Sequence, residues 1–115
     1  MGDPAGIGPE IVVRALSRKE TYEKCRPIVT GDAAVMKEAV KALGLDFKIN
    51  AVDKVSDAKF EYGTIDVYDL HCVDMSTFRF GEVQAQCGNA AFVSIRKAIE
   101  LAMANEVDGT VTAPL

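Results

Sequence analysis

The residues with the most chemical character lie in the first ten positions, Met-Gly-Asp-Pro-Ala-Gly-Ile-Gly-Pro-Glu from Met1 to Glu10. This density of glycine and proline is typical of a tight turn that presents its backbone, because glycine tolerates positive φ and close ligand approach while proline fixes φ. Pro9 suits the start of a helix, and Glu10 suits the positive end of the helix dipole. We therefore expect a helix from about Gly8 or Pro9, with N–H groups at its start that can meet a phosphate, a carboxylate or a cofactor.

A purely structural turn between a strand and a helix is the alternative interpretation of this stretch. The two standard nucleotide motifs are excluded. The stretch lacks the third glycine of G-x-G-x-x-G, and no Gly-Lys-Ser/Thr follows it as in a P-loop.

Other arrangements that carry chemistry are weak. Asp3 and Glu10 could form a carboxylate pair, but we expect Asp3 to stabilise the turn by accepting backbone N–H bonds. His71 is the only histidine, so one copy of the chain cannot assemble a histidine cluster for a metal, and a surface or loop position is predicted. Ser94 and Cys87 have no adjacent base, which gives nucleophilic catalysis no support.

The three cysteines, Cys25, Cys72 and Cys87, are widely spaced and form no C-x-x-C motif. We expect reduced, mostly buried thiols without a disulfide or a zinc site. Two carboxylates on a predicted strand, Asp66 and Asp69, are expected to be solvated.

The rest of the sequence alternates strand-like and helix-like segments. Asp32 is placed to cap one helix and Gly44 to end it. Residues 71–83 have no clean period and predict a long surface loop. We predict helices over residues 9–19, 33–43 and 88–105, with Asn89 as a cap of the last, and strands over 27–30, 46–52, 65–70 and 109–113. The apolar stripe of the last helix consists of Ala91, Phe92, Ile95, Ala98, Ile99, Ala102 and Met103.

This alternation predicts an α/β fold, a mostly parallel sheet with helices on both faces. In such sheets ligands lie beyond the carboxyl ends of the strands. The 2–8 turn, the Gly31–Asp32 turn and the end at residues 112–114 are all loops of this kind. Each of them can therefore contact a ligand, and the hydroxyl of Thr112 lies on the last.

Composition sets the remaining bounds. The chain has 115 residues and a formal net charge of −4, so nucleic acid and anionic membranes are not expected partners. No run is long enough to span a membrane, and no secretory signal opens the chain, which predicts a cytoplasmic protein. Residues 1–115 are expected to form a single, partial α/β domain.

Three stretches together resemble one enzyme family. They are Met1–Glu10, Gly81–Phe92 and Glu106–Leu115, which includes Val-Thr-Ala-Pro-Leu. They resemble the 4-hydroxythreonine-4-phosphate dehydrogenases of pyridoxal phosphate (pyridoxine) biosynthesis and the paralogues that oxidise 4-phospho-D-threonate or 4-phospho-D-erythronate. The chain is more distantly similar to isopropylmalate and isocitrate dehydrogenases, whose first turn lacks the Pro4-Ala5 insertion.

The resemblance implies an isocitrate/isopropylmalate dehydrogenase-like fold and a homodimeric oxidoreductase that uses NAD or NADP and a divalent metal (Zn, Mg or Co). It implies that the chain is an inactive N-terminal fragment, with no catalytic residue and no metal ligand before Leu115. Because the 2–8 turn and the 112–114 end both lie in stretches that carry the resemblance, it implies that these two loops face a cleft together. The candidate cofactor-binding residues are Gly2, Asp3, Pro4, Ala5 and Gly6, and the candidate substrate-binding residue is Thr112. The alternatives are an isopropylmalate-type decarboxylating dehydrogenase and a non-catalytic α/β module that binds a ligand or a partner.

Overall fold

This computed structural model describes residues 1–114 of the chain. Within them lie four helices, three strands and one 3₁₀ turn, joined by loops. In chain order they are α1 (Gly8–Leu16), α2 (Lys19–Lys24), β1 (Val29–Gly31), α3 (Ala33–Ala42), β2 (Lys48–Val52), the 3₁₀ turn Val55–Asp57, β3 (Thr64–Asp69) and α4 (Ala85–Met103).

The three strands form one parallel sheet in the order β1-β3-β2. Val67 in the central strand lies beside Val29 of β1 on one side and beside Ala51 of β2 on the other. The predicted parallel arrangement is confirmed.

Helices cover both faces of this sheet. Thr30 and Tyr68 are neighbours in the register and share one face. The Thr30 hydroxyl donates to the Ser94 carbonyl of α4 at 2.9 Å, and Lys97 Nζ of the same helix lies 5.3 Å from the centre of the Tyr68 ring. Because side chains alternate along a strand, the intervening residues point to the opposite face. The core against α1 and α3 includes Val13, Val35, Met36, Ile65 and Val67.

The predicted start of α3 and its cap are confirmed, and the helix ends at Ala42, one residue before the predicted end. Asp32 precedes the helix in an extended conformation, and its Oδ1 accepts hydrogen bonds from the N–H groups of Ala34 (2.9 Å) and Val35 (3.3 Å). Gly44 follows the helix with φ +67°, a conformation that glycine adopts without the usual steric cost.

The first helix is shorter than predicted. The helix ends at Leu16, and Ser17 is its C-cap. The Ser17 N–H donates to the Val13 carbonyl, and the Ser17 hydroxyl donates to the Arg14 carbonyl. Arg18 is extended, and the separate helix α2 follows. This six-residue helix was not predicted because it buries no side chain and therefore carries no apolar stripe.

The last helix begins earlier than predicted, at Ala85, so that Gly88 and Asn89 lie inside it. Its packing also differs from the predicted stripe. Small residues such as Ala90 and Ser94 face the sheet and allow close approach, whereas Phe92, Ile99 and Met103 are 63%, 50% and 80% exposed. These three side chains and Ile95 form an apolar face that no other element within residues 1–114 covers.

The predicted strand over residues 109–113 is absent from the described chain. Val111 in its centre is 99% exposed, and no strand pairs with this segment within residues 1–114. A sequence of high β-propensity forms a strand only where its backbone pairs with a neighbouring strand, and this segment pairs with none of β1, β2 and β3.

Asp66 is buried, which corrects the prediction that it is solvated. It is 1% exposed and holds the 53–61 connection against the sheet. Its carboxylate accepts hydrogen bonds from the Asn50 side chain (2.8 Å) and from the N–H groups of Lys59 (3.0 Å) and Phe60 (2.9 Å). A carboxylate that receives three hydrogen bonds is compensated for its burial.

We predict that Asp66→Ala lowers the free energy of unfolding by about 3 kcal/mol, because two backbone N–H groups and one amide lose a charged acceptor inside the protein. Urea denaturation monitored by circular dichroism measures the change. Asp53→Ala, on the exposed part of the same connection, is the matched control and should change stability by less than about 0.5 kcal/mol. Equal effects of the two substitutions would contradict the assigned role.

Candidate functional site

The carboxyl edge of the sheet gathers the turns that the sequence singled out. The Met1 amino group donates to the Thr30 carbonyl at 3.0 Å, so the chain enters alongside β1 and the first turn follows at its carboxyl end. At the end of β3, Asp69 Oδ1 accepts hydrogen bonds from the N–H groups of Ala33 (3.2 Å) and His71 (3.1 Å). Asp69 therefore links two strand ends and, like Asp66, is not the solvated group that was predicted.

Asp3 organises the first turn as predicted. Its Oδ1 accepts the Ala5 N–H at 2.9 Å, and its carbonyl accepts the Gly6 N–H at 3.1 Å. The helix α1 begins directly after this turn, at Gly8, with Pro9 in its first turn. The predicted helix start is thereby confirmed.

The first turn meets the segment that ends at Pro114. The Asp3 N–H lies 3.4 Å from the Pro114 carbonyl oxygen, a long hydrogen bond. Gly2 has φ +76°, and a Cβ atom at this position would come within 2.6 Å of the same oxygen. The structure therefore brings together the two loops that were expected to share a cleft. Leu115 lies outside the described residues.

The candidate cofactor residues differ in accessibility. Gly2, Pro4 and Ala5 are buried, Asp3 is half-buried and only Gly6 is exposed. A Cβ at Gly6 would meet nothing closer than 3.6 Å, so the internal packing does not require glycine there. A ligand at this turn would contact exposed backbone around Gly6 rather than the side chains of Pro4 and Ala5. Thr112 is exposed, two residues before Pro114.

The connection between β3 and α4 contains no helix or strand, as predicted, but it lies against the other turns. The Val73 N–H donates to Asp32 Oδ2 at 3.0 Å, and the Gly81 N–H donates to the Ala5 carbonyl at 2.8 Å. These contacts leave no signal in the sequence, since their donors are backbone groups that every residue except proline carries.

His71 lies on the surface at this edge. It is exposed, has φ +48°, and its Nδ1 lies 3.5 Å from Asp69 Oδ2. It borders an open depression of about 360 Å³ beside the ends of β2 and β3. Within residues 1–114, no three histidine, cysteine or acidic side chains lie close enough to hold a metal ion.

The three cysteines are free thiols in different environments. Cys25 is exposed, Cys72 is half-buried and Cys87 is buried against the first turn. Burial, with a smaller contribution from the nearby Asp32 carboxylate, raises the pKa of Cys72 to about 11. Burial and the neighbouring Asp3 also raise the pKa of Cys87. Both groups are therefore neutral thiols at neutral pH.

A comparison with models of protein families identifies the family of this chain. Residues 23–115 match the family described as pyridoxal phosphate biosynthetic protein PdxA. The chain belongs to this family. The match decides between the two dehydrogenase interpretations in favour of the one that the three sequence stretches indicated.

Curated relatives match over the whole chain. A D-threonate 4-phosphate dehydrogenase from Clostridium botulinum (strain Hall) is 45% identical over 115 residues, which are 100% of this chain and 34% of that protein. The protein of the same name from Symbiobacterium thermophilum is 46% identical over the same length. The chain thus spans about a third of the length of the curated relatives that it matches.

Solved structures show the same fold. A 4-hydroxythreonine-4-phosphate dehydrogenase from Burkholderia phymatum superposes with a TM-score of 0.89 at 39% identity, over 93% of this chain and 32% of that one. One from Salmonella typhimurium gives 0.84 at 38% identity, over 93% and 33% of the two chains. Among residues 1–114, no helix combines the length and apolar character that crossing a membrane requires.

We predict that Gly2→Ala lowers the free energy of unfolding by about 2 kcal/mol, because the new methyl group meets a backbone oxygen and the residue must hold a positive φ. Gly109→Ala is the control, since a Cβ there meets nothing within 4 Å. Chemical denaturation of both variants measures the difference. If the two variants prove equally stable, the contact between the first turn and Pro114 does not hold the fold.

Proposed function

We propose that this chain forms one wall of the active-site cleft of a dehydrogenase that uses NAD or NADP and a divalent metal. The enzyme oxidises the secondary alcohol of a phosphorylated hydroxy acid, 4-phospho-D-threonate or 4-phosphohydroxy-L-threonine. One observation carries the proposal: in a member of the PdxA family, the first turn and the 112–114 segment meet at the carboxyl edge of a parallel sheet. This edge is where α/β sheets bind their ligands.

The first turn is suited to an anionic part of a cofactor. Residues 2–6 lead into the N-terminus of α1, where N–H groups and the helix dipole favour negative charge, as on a pyrophosphate. Gly6 offers exposed backbone, while Asp3 holds the turn in shape. A bound nicotinamide supplies the hydride acceptor, and the protein orients it.

Thr112 is the residue of this chain that we assign to the substrate. Its side chain is exposed, and the neighbouring Ala113 lies against the first turn at Gly2. A hydroxyl there can donate a hydrogen bond to a carboxylate or phosphate oxygen, or accept one from a substrate hydroxyl.

The metal is not assigned to residues of this chain. The described residues hold no cluster of metal-binding side chains, so they do not fit a Zn, Mg or Co site. We place its ligands elsewhere in the assembled enzyme, and with them the catalytic residues, so the chain alone is expected to be inactive. A divalent ion bound there would act as a Lewis acid on the oxygen being oxidised.

The relatives are named for two different substrates, and they differ in how similar they are to this chain. The curated relatives at 45–46% identity are named for D-threonate 4-phosphate, and the solved structures at 36–39% identity for 4-hydroxythreonine-4-phosphate. The higher identity favours 4-phospho-D-threonate, while the family description supports a place in pyridoxal phosphate synthesis. The resemblance to these dehydrogenases also supports a cytoplasmic homodimer.

We predict that this chain restores dehydrogenase activity when it replaces the matching 115 residues of the Clostridium botulinum relative. Absorbance of the reduced nicotinamide, with either substrate, NAD or NADP and added divalent metal, measures the activity. The unmodified relative is the positive control, and this chain alone is expected to show no turnover. A folded chimera that oxidises neither substrate would contradict the proposed function, and turnover by the chain alone would contradict the placement of catalysis elsewhere.

Within the chimera, Thr112→Ala should lower kcat/KM by roughly tenfold or more through the loss of one hydrogen bond to the substrate. Thr112→Ser keeps the hydroxyl and should retain most of the activity. Equal activity of the alanine and serine variants would remove Thr112 from the site.

A further inference from the structure

We propose that residues 73–81, between β3 and α4, form a clamp that fixes the shape of the first turn, with Gly81 as a positioning residue that acts through Ala5. The proposal deepens the proposed function, on which it rests for the claim that the first turn meets a cofactor. The geometry of the clamp itself stands on contacts within this chain.

The clamp begins at the turn between β1 and α3, which contains Asp32. Val73 donates its N–H to Asp32 Oδ2 at 3.0 Å, while Oδ1 of the same carboxylate caps α3. Asp32 is 3% exposed, so both of its oxygens are used inside the protein. One end of the clamp is therefore fixed to a helix whose position the sheet determines.

The middle of the clamp is anchored by an aromatic side chain. Phe78 is 6% exposed and belongs to the core that also contains Ala5 and Cys87. Its ring packs edge to face against Phe80, with 4.9 Å between the ring centres. A buried phenylalanine in a connection without helix or strand holds that connection by its apolar area.

The far end of the clamp fixes one peptide unit of the first turn from both sides. The Ala5 carbonyl accepts the Gly81 N–H at 2.8 Å, and the Gly6 N–H donates to the Asp3 carbonyl at 3.1 Å. The Ala5 carbonyl and the Gly6 N–H belong to the same planar peptide group. A rotation of this group would break both hydrogen bonds, so Gly81 determines which way the exposed backbone at Gly6 is directed.

Gly81 has φ +80°, in the region that favours glycine, and open space lies where a side chain would be. An L-residue there is disfavoured by backbone strain alone, without any collision. A turn that is already held in one geometry binds its ligand without the cost of ordering it. The clamp would thus raise cofactor affinity without touching the cofactor.

The test is amide hydrogen exchange, followed by NMR on the full 115-residue chain without any ligand. We expect Gly81→Ala to accelerate exchange at the Gly6 N–H about tenfold and to leave the amides of α3 unchanged, because the strain loosens only the clamp. Gly81→Asn should recover part of the protection, since asparagine tolerates positive φ better than alanine does.

Gly63→Ala is the matched control. Gly63 also has a positive φ, +96°, and open space at the Cβ position, but it lies at the start of β3, away from the first turn. The proposal is overturned if Gly81→Ala leaves exchange at Gly6 as in the native chain, or if Gly63→Ala accelerates it equally.

Should Gly81→Ala fail to fold, Phe78→Leu applies the same test, because it keeps an apolar anchor but removes the ring that packs on Phe80. Accelerated exchange at Gly6 is again expected, and unchanged exchange would overturn the clamp. No cofactor takes part in these measurements. An inactive chimera with a protected Gly6 amide would therefore count against the proposed function alone, and an unprotected one in an active chimera against the clamp alone.

Discussion

The carboxyl edge of this sheet depends on one buried carboxylate, that of Asp32. One of its oxygens satisfies N–H groups at the start of α3, and the other receives the N–H of Val73, forty-one residues further along the chain. A negative charge at a helix N-terminus is stabilised by the helix dipole, so the group that orders the edge also stabilises the helix behind it. Without this carboxylate, three N–H groups would lose their partners at the place where the candidate site is built.

Short sequence patterns were sufficient to predict the parallel sheet and the cap of α3. An aspartate before an apolar helical pattern and a glycine after it identified the cap and the end of α3, because both act within one turn of the helix. The order of strands and helices identified the parallel sheet, since parallel neighbours need long connections. Asp3 was interpreted correctly for the same reason: its partners, Ala5 and Gly6, are close in sequence.

Several features differ from the prediction because they depend on contacts outside their own helix or strand. Asp66 was expected to be solvated because a polar residue in an alternating strand normally faces water, yet backbone N–H groups from the preceding connection surround it. The strand over 109–113 was expected from residue preferences, which carry no information about whether the segment pairs with another strand. Phe92 and Ile99 were expected on the packed face of α4, but they are exposed, and Ala90 and Ser94 contact the sheet instead, because small side chains let the helix come close. The clamp could not be predicted from the sequence, because its hydrogen-bond donors are main-chain groups that nearly every residue carries.

The unequal environments of the three thiols give the molecule a natural attachment point for a spectroscopic label. Cys25 follows α2, which lies at the amino end of the sheet, where the Tyr22 hydroxyl donates to the carbonyl of Thr64. Cys87 is buried and Cys72 resists ionisation, so a thiol-specific dye attaches selectively at Cys25. Such a dye lies at the amino end of the strands, whereas the first turn lies at their carboxyl end. It therefore reports on folding and association without disturbing the edge where ligands are expected.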